Sequence, residues 1–142
     1  MCKLLDKVQP KNKEQLKQLI DYAFKHNIYD LNFIDTSKIT DMSGLFICIA
    51  HDFDVSSWDV SNAKNISYIF YKCKNFTGKG IENWDVSNIY NTSNMFKGCK
   101  NFKCKGLENW NLKLKNIKFY YHMFYDCDKN IIPNWYKKYN FK

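Results

Sequence analysis

A carboxylate stands two residues before a hydroxyl at three regular places: Asp35 and Ser37, Asp59 and Ser61, Asp85 and Ser87. Stacked above one another, such pairs would make a polar ladder able to hold calcium or to run acid–base chemistry. The same pairs suit turns, because Asp and Ser side chains hydrogen-bond nearby backbone groups. The turn reading is the stronger, since Asn111 at the fourth place keeps turn chemistry and loses the carboxylate. Six cysteines offer a second chemistry. Cys73, Cys99 and Cys127 each follow a phenylalanine by three residues, and Cys48 sits near that phase. A buried thiol packs as a small hydrophobe, so a reduced core ladder is expected, with a disulfide or a metal as the alternatives. Zinc spacing is not met: no Cys-x-x-Cys occurs, and Cys99 and Cys104 lack a partnering pair. His26, His51 and His122 share no phase. There is no Gly-rich phosphate loop, nucleophile elbow or His-Glu zinc motif. The expectation is a protein that is not an enzyme and takes no metal or other cofactor.

These residues are positioned by a repeat. Trp58-Asp59-Val60-Ser61-Asn62 returns 26 residues later as Trp84-Asp85-Val86-Ser87-Asn88, and Trp110 follows after another 26. Phe70, Phe96 and Phe124 keep one phase, as do Ile69, Met95 and Met123. A period of this size means stacked units, each too small to bury its own apolar face. Apolar residues repeated at fixed phases become ladders when the units stack. Short parallel strands are expected at places such as 63–67 and 89–93, joined into one sheet along a solenoid, with a short helical turn at each Phe-x-x-Cys. Residues 12–26 differ. Asn12 is an N-cap with Gln15 three later, and Leu16, Leu19, Ile20, Ala23 and Phe24 recur at helical spacing. This helix is expected to cover the first unit. The chain is read as a single domain, 1–142, divided into an N-terminal capping helix at 1–30, repeats at 31–130 and a C-terminal cap at 131–142.

Trp-Asp-Val-Ser-Asn at 58–62 and 84–88, followed by Phe-x-x-Cys-x-x-Phe at 70–76 and 96–102, resembles the BspA-like leucine-rich-repeat surface proteins, including mycoplasma-type lipoprotein repeats of similar length. The resemblance covers residues 31–128. Ile34 to Phe46 resembles the family's usual first repeat, and the preceding helix its lead-in. It implies a leucine-rich-repeat-like α+β solenoid, here of about four coils of 24–28 residues, used for adhesion or protein binding. It implies no catalytic residues.

The net charge is +8, and all 22 basic residues are lysine. Residues 1–71 hold 8 lysines against 9 acidic residues, whereas residues 72–142 hold 14 against 5. A one-sided field of this kind attracts acidic partners. Positions that vary between units are where recognition is expected. They give one patch of Lys64, Tyr68, Tyr90, Asn94, Lys118 and Tyr121, and a second row with Lys74 above Lys100 and Lys79 above Lys105. The function expected is a non-catalytic protein-binding module, an effector or inhibitor that binds an acidic surface of a partner protein. One alternative is nucleic-acid binding, or antagonism of a nucleic-acid-processing machine, through the lysine and aromatic face. The other is an adhesin-type surface repeat fragment. No apolar run approaches the roughly 20 residues that span a bilayer, and Met1 to Lys7 has no long apolar segment ahead of a small-residue cleavage site. A cytoplasmic monomer without membrane contact is expected, although members of the family it resembles are often surface-exposed.

Overall fold

The computed structural model describes residues 6–103, 106–110 and 116–138. Helix α1 spans Lys13–Lys25. Asn12 caps it, its Oδ1 accepting the Gln15 N–H at 2.9 Å, which satisfies one donor that a helix start leaves unpaired. Gln15 Oε1 reaches back to accept the Lys11 N–H at 2.9 Å, one residue earlier than in the usual capping box. Leu16, Ile20 and Ala23 form the buried face. The helix is pinned to the first repeat by Phe24 against Phe46 and Phe53 and by Lys13 Nζ on Ser43 Oγ at 2.7 Å.

The repeats lie side by side in register. Met42, Gly44, Phe46 and Cys48 donate their N–H groups to the carbonyls of Asn65, Ser67, Ile69 and Tyr71. Ile66, Tyr68, Phe70 and Lys72 donate to Asn91, Ser93, Met95 and Lys97, and Thr92, Asn94, Phe96 and Gly98 to Phe119, Tyr121, Met123 and Tyr125. All twelve bonds measure 2.7–3.1 Å and run one way, from each repeat to the next.

This ladder is not a sheet. Pairing is limited to isolated parallel bridges, among them Asp41 with Asn65, Asn65 with Asn91 and Asn91 with Phe119. No described residue lies in a strand. The expected leucine-rich-repeat α+β solenoid, with strands at 63–67 and 89–93, is therefore overturned. The cause is local. Asn65 and Asn91 accept the N–H of Ser67 and Ser93, each at 3.0 Å, and so close a turn inside the expected strand. One residue further, Tyr68, Asn94 and His122 take φ of 58°, 56° and 52°. Lys72 and Asp126, four beyond, take 56° and 60°. Extended backbone requires negative φ, so each repeat leaves the β region almost as soon as it enters it.

The core lies behind the ladder. Phe46, Phe70, Phe96 and Phe124 stack with centroids 5.7, 5.7 and 5.3 Å apart and planes within 17°. Phe53, Phe76 and Phe102 make a second column at 4.7 and 6.2 Å. The indole N–H groups of Trp58, Trp84 and Trp135 reach the carbonyls of Leu31, Val55 and Leu107 at 3.0, 3.1 and 2.9 Å. Trp110 shares their phase and burial, but its Nε1 has no partner among the described residues. Gly78 is needed where it stands: its φ is 73°, and a Cβ there would lie 2.1 Å from the Phe102 ring.

The cysteines follow the core. Cys73, Cys99 and Cys127 each bring Sγ to the phenylalanine carbonyl of the preceding repeat, at 2.6, 2.9 and 2.9 Å. Burial pushes the Cys73 and Cys127 thiols up to about 12 and raises Cys99 as well. Cys48 is outside this column. Ile49 takes the ladder place, and Cys48 is exposed with φ of 60°. Cys104, and the turn expected at Asn111, lie outside the described residues.

Helix α2, Asn134–Lys138, follows the last repeat. The Tyr136 hydroxyl accepts the Met123 N–H at 3.0 Å and donates to the Tyr120 carbonyl at 3.3 Å. Its ring meets Phe124 edge-on at 5.1 Å. Residues 139–142 of the expected C-terminal cap lie outside the described residues.

Candidate functional site

The Asp-x-Ser places carry turn geometry. Asp35, Asp59 and Asp85 accept the N–H of Ser37, Ser61 and Ser87 at 3.0, 2.9 and 3.1 Å. Asp41 and Asp54 serve Ser43 and Ser56 alike, both at 2.9 Å. Burial pushes the Asp54 carboxyl up, but the Ser56 hydroxyl, Asn32, the Ser56 N–H and the charge of Lys79 outweigh it and hold it below the ordinary value. Asp35 is also lowered, first by Ser37. A carboxylate whose pKa is lowered in this way is a weak general base. No group of three or more His, Cys, Asp or Glu among the described residues is placed to hold a metal. The histidines are dispersed: His26 Nδ1 lies 2.8 Å from the Tyr22 carbonyl, His51 packs on Phe24, and His122 on Tyr125.

The surface that varies between repeats is built by the ladder. Lys64 N–H bonds the Thr40 carbonyl, Tyr90 N–H the Lys64 carbonyl, and Lys118 N–H the Tyr90 carbonyl, at 2.8, 2.9 and 2.8 Å. Lys64, Tyr90 and Lys118 therefore occupy one row, and all three are exposed. Tyr90 meets Phe119 at 6.4 Å and Phe119 meets Tyr121 at 6.4 Å, so an aromatic strip runs beside that row. Tyr68 is exposed next to Tyr71, 5.5 Å away. Asn94 shares the row of Tyr68 and His122 but is only 9% exposed, so it offers little surface. This corrects its expected role: the repeat tucks the short side chain in, where tyrosine and histidine project.

The second expected row is divided. The Asn101 N–H bonds the Lys74 carbonyl at 3.1 Å, which sets Lys74 and Lys100 on adjacent repeats. Lys100 Nζ lies 3.7 Å from Asp126. Lys79 stands elsewhere, in a shallow depression with Tyr29, Asp30, Asp52 and Asp54, where acidic neighbours answer its charge. Lys105 lies outside the described residues.

Sequence reasoning missed one row. Ile47, Tyr71, Lys97 and Tyr125 each follow the core phenylalanine, and the carbonyls of Tyr71, Lys97 and Tyr125 bind one repeat to the next. Lys97 Nζ lies 6.0 Å from the Tyr71 centroid and 5.1 Å from that of Tyr125, and Lys72 Nζ lies 5.2 Å from Tyr71. The signal was in the sequence: a fixed phase with changing identity, the same criterion that selected Lys64, Tyr90 and Lys118.

No curated protein and no solved structure matches the chain. A family model does, over residues 14–135. The match agrees with the resemblance at its coarse level, a mycoplasma protein family, and adds nothing for its BspA-like, leucine-rich-repeat part. It runs from the first turn of α1 to Trp135 and takes in every repeat, so the chain belongs to the family described as Mycoplasma protein of unknown function, DUF285.

Proposed function

We propose that this chain is a non-catalytic protein-binding module, acting as an effector or inhibitor, that engages an acidic surface of a partner protein through the lysine and aromatic face. The reading includes a monomer that makes no membrane contact. The observation that carries it is the unequal fate of the two charges. Acidic side chains are spent on the fold: Asp35, Asp41, Asp54, Asp59 and Asp85 each accept a backbone N–H in a turn. Lysines are not. Among the described residues only Lys13, Lys17 and Lys100 form ion pairs, which leaves Lys64, Lys97 and Lys118 exposed or half-buried without a carboxylate. Unanswered ammonium groups on adjacent repeats speed encounter with an anionic surface. The tyrosines between them supply contact area at small entropic cost.

Nucleic-acid binding is the second reading, favoured by the exposed rings of Tyr90, Phe119 and Tyr121 beside Lys64 and Lys118, an arrangement that suits backbone phosphates and stacked bases. Capture from host lysate, with and without nuclease, separates the two. The parent chain should retain a protein that a Lys64→Glu, Lys118→Glu variant does not, and nuclease should not release it. Retention of nucleic acid alone, or equal retention by the variant, would contradict the reading.

A further inference from the structure

Lys97 is held in a frame that no partner among the described residues completes. Tyr71, on the preceding repeat, lies on one side and Tyr125, on the following repeat, on the other, with centroids 6.0 and 5.1 Å from Nζ. Backbone bonds from Lys72 N–H to the Lys97 carbonyl at 2.7 Å and from Gly98 N–H to the Tyr125 carbonyl at 2.8 Å fix this order. Two ring faces attract the ammonium, yet an ammonium carries three donors and rings satisfy none of them as an anion does. Among the described residues no carboxylate lies within ion-pair distance of Lys97; the nearest repeat's acid, Asp126, is matched to Lys100 at 3.7 Å.

We propose that Lys97, clamped between Tyr71 and Tyr125, is the central contact of the interface and takes a carboxylate from an extended acidic segment of the partner protein. The inference rests on the acidic-partner reading above and names its site. Three observations select this occupant. First, a free lysine must lose rotamer freedom on binding, whereas the two rings have already restricted Lys97, so an anion meeting it loses less to ordering. Second, the faces of Tyr71 and Tyr125 that a nucleotide base would stack on are turned toward ammonium groups, which disfavours base stacking at this place. Third, Lys72 stands beside Lys97 on the preceding repeat, its N–H on the Lys97 carbonyl at 2.7 Å, and Lys64 and Lys118, on the preceding and following repeats, are exposed. One small anion answers one of these groups; a polypeptide with several carboxylates answers the set, and its apolar side chains cover the exposed Tyr125 ring.

The test is a titration of the full chain with a fluorescent oligoglutamate peptide at ~0.1 M salt, where charges separated by more than about 10 Å are screened. The variants are Lys97→Gln, Tyr125→Phe, Tyr125→Leu and, on the exposed side of α1, Lys25→Gln. Lys97→Gln should weaken binding at least tenfold, about 1.4 kcal/mol, with an unchanged urea midpoint. Tyr125→Phe should bind like the parent, Tyr125→Leu several-fold more weakly, and Lys25→Gln within twofold of the parent. Equal loss in Lys97→Gln and Lys25→Gln would overturn the assignment to Lys97 and leave the acidic-partner reading standing. A parent that fails to bind oligoglutamate, or binds oligothymidylate more tightly at the same salt, would overturn both.

Discussion

Phe96 is wholly buried between Phe70 and Phe124, with ring centroids 5.7 and 5.3 Å away. Lys97, the next residue, lies outside the same ladder between Tyr71 and Tyr125. One backbone register therefore builds two columns with opposite rules. On the inside every repeat supplies phenylalanine, because a ring must meet a ring at a fixed spacing in a close-packed interior. On the outside the same register carries Ile47, Tyr71, Lys97 and Tyr125, because only the backbone must match there. Folding fixes the first column and leaves the second free for recognition.

The largest blow to this division is Phe96→Ala. It should cost about 3–5 kcal/mol in chemical denaturation, since truncating a buried ring removes its transfer energy and leaves a cavity. A loss under about 1 kcal/mol would remove Phe96 from the inner column. Gly78→Ala comes next, at about 1–3 kcal/mol, because a methyl group at that left-handed position meets the Phe102 ring. A neutral result would mean that the second phenylalanine column is loosely packed.

The turn carboxylates sharpen the comparison through pH. The Asp54 carboxyl is held below its ordinary value of 3.8. Its contribution is complete above the unfolded carboxyl pKa of about 3.9 and is lost as pH falls through the depressed folded value. Stability should fall on acidification below about pH 4, and Asp54→Asn, which keeps a turn acceptor, should flatten that limb. The thiols give a smaller, kinetic contrast. In native protein, alkylation followed by peptide mapping should label exposed Cys48 well before Cys73, Cys99 and Cys127, whose thiols burial raises. Early labelling of Cys99 would argue against a closed core. Smallest of all, Lys64→Glu with Lys118→Glu should shift stability by no more than about 0.5 kcal/mol. A large shift would place that row in the fold instead of on the face.

The sequence made the inner columns and helix α1 legible because both are periodic. Trp58, Trp84, Phe70 and Phe96 recur at one spacing, and Asn12 with Leu16 and Ile20 states a capped amphipathic helix. It misled on strands. Apolar residues that keep one phase from unit to unit suggest stacked strands at 63–67 and 89–93, but Asn65 and Asn91 close turns and Tyr68 and Asn94 adopt positive φ. Side-chain bonding of this kind competes with regular structure, and its trace is the Asx-x-Ser spacing of Asp41/Ser43, Asn65/Ser67 and Asn91/Ser93 instead of an apolar pattern. Of the proposed face, Lys64, Tyr90 and Lys118 were readable as variable positions at one phase. The row of Lys97 was readable by the same rule, whereas its cation–π contacts were not, since they depend on which rings the register brings to either side. The fold also brings Lys79 near Asp54, a neighbour distant in sequence, while Lys105, its expected neighbour, lies outside the described residues.

Amide chemical-shift mapping during titration with an acidic peptide tests most directly whether recognition occupies the outer column and its neighbours. Perturbations should cluster at 64–72, 90–97 and 118–125 and spare α1 and the depression around Asp30, Asp52 and Asp54. Shifts centred on Lys74, Lys100 and Lys129, or spread evenly over all exposed lysines, would contradict it.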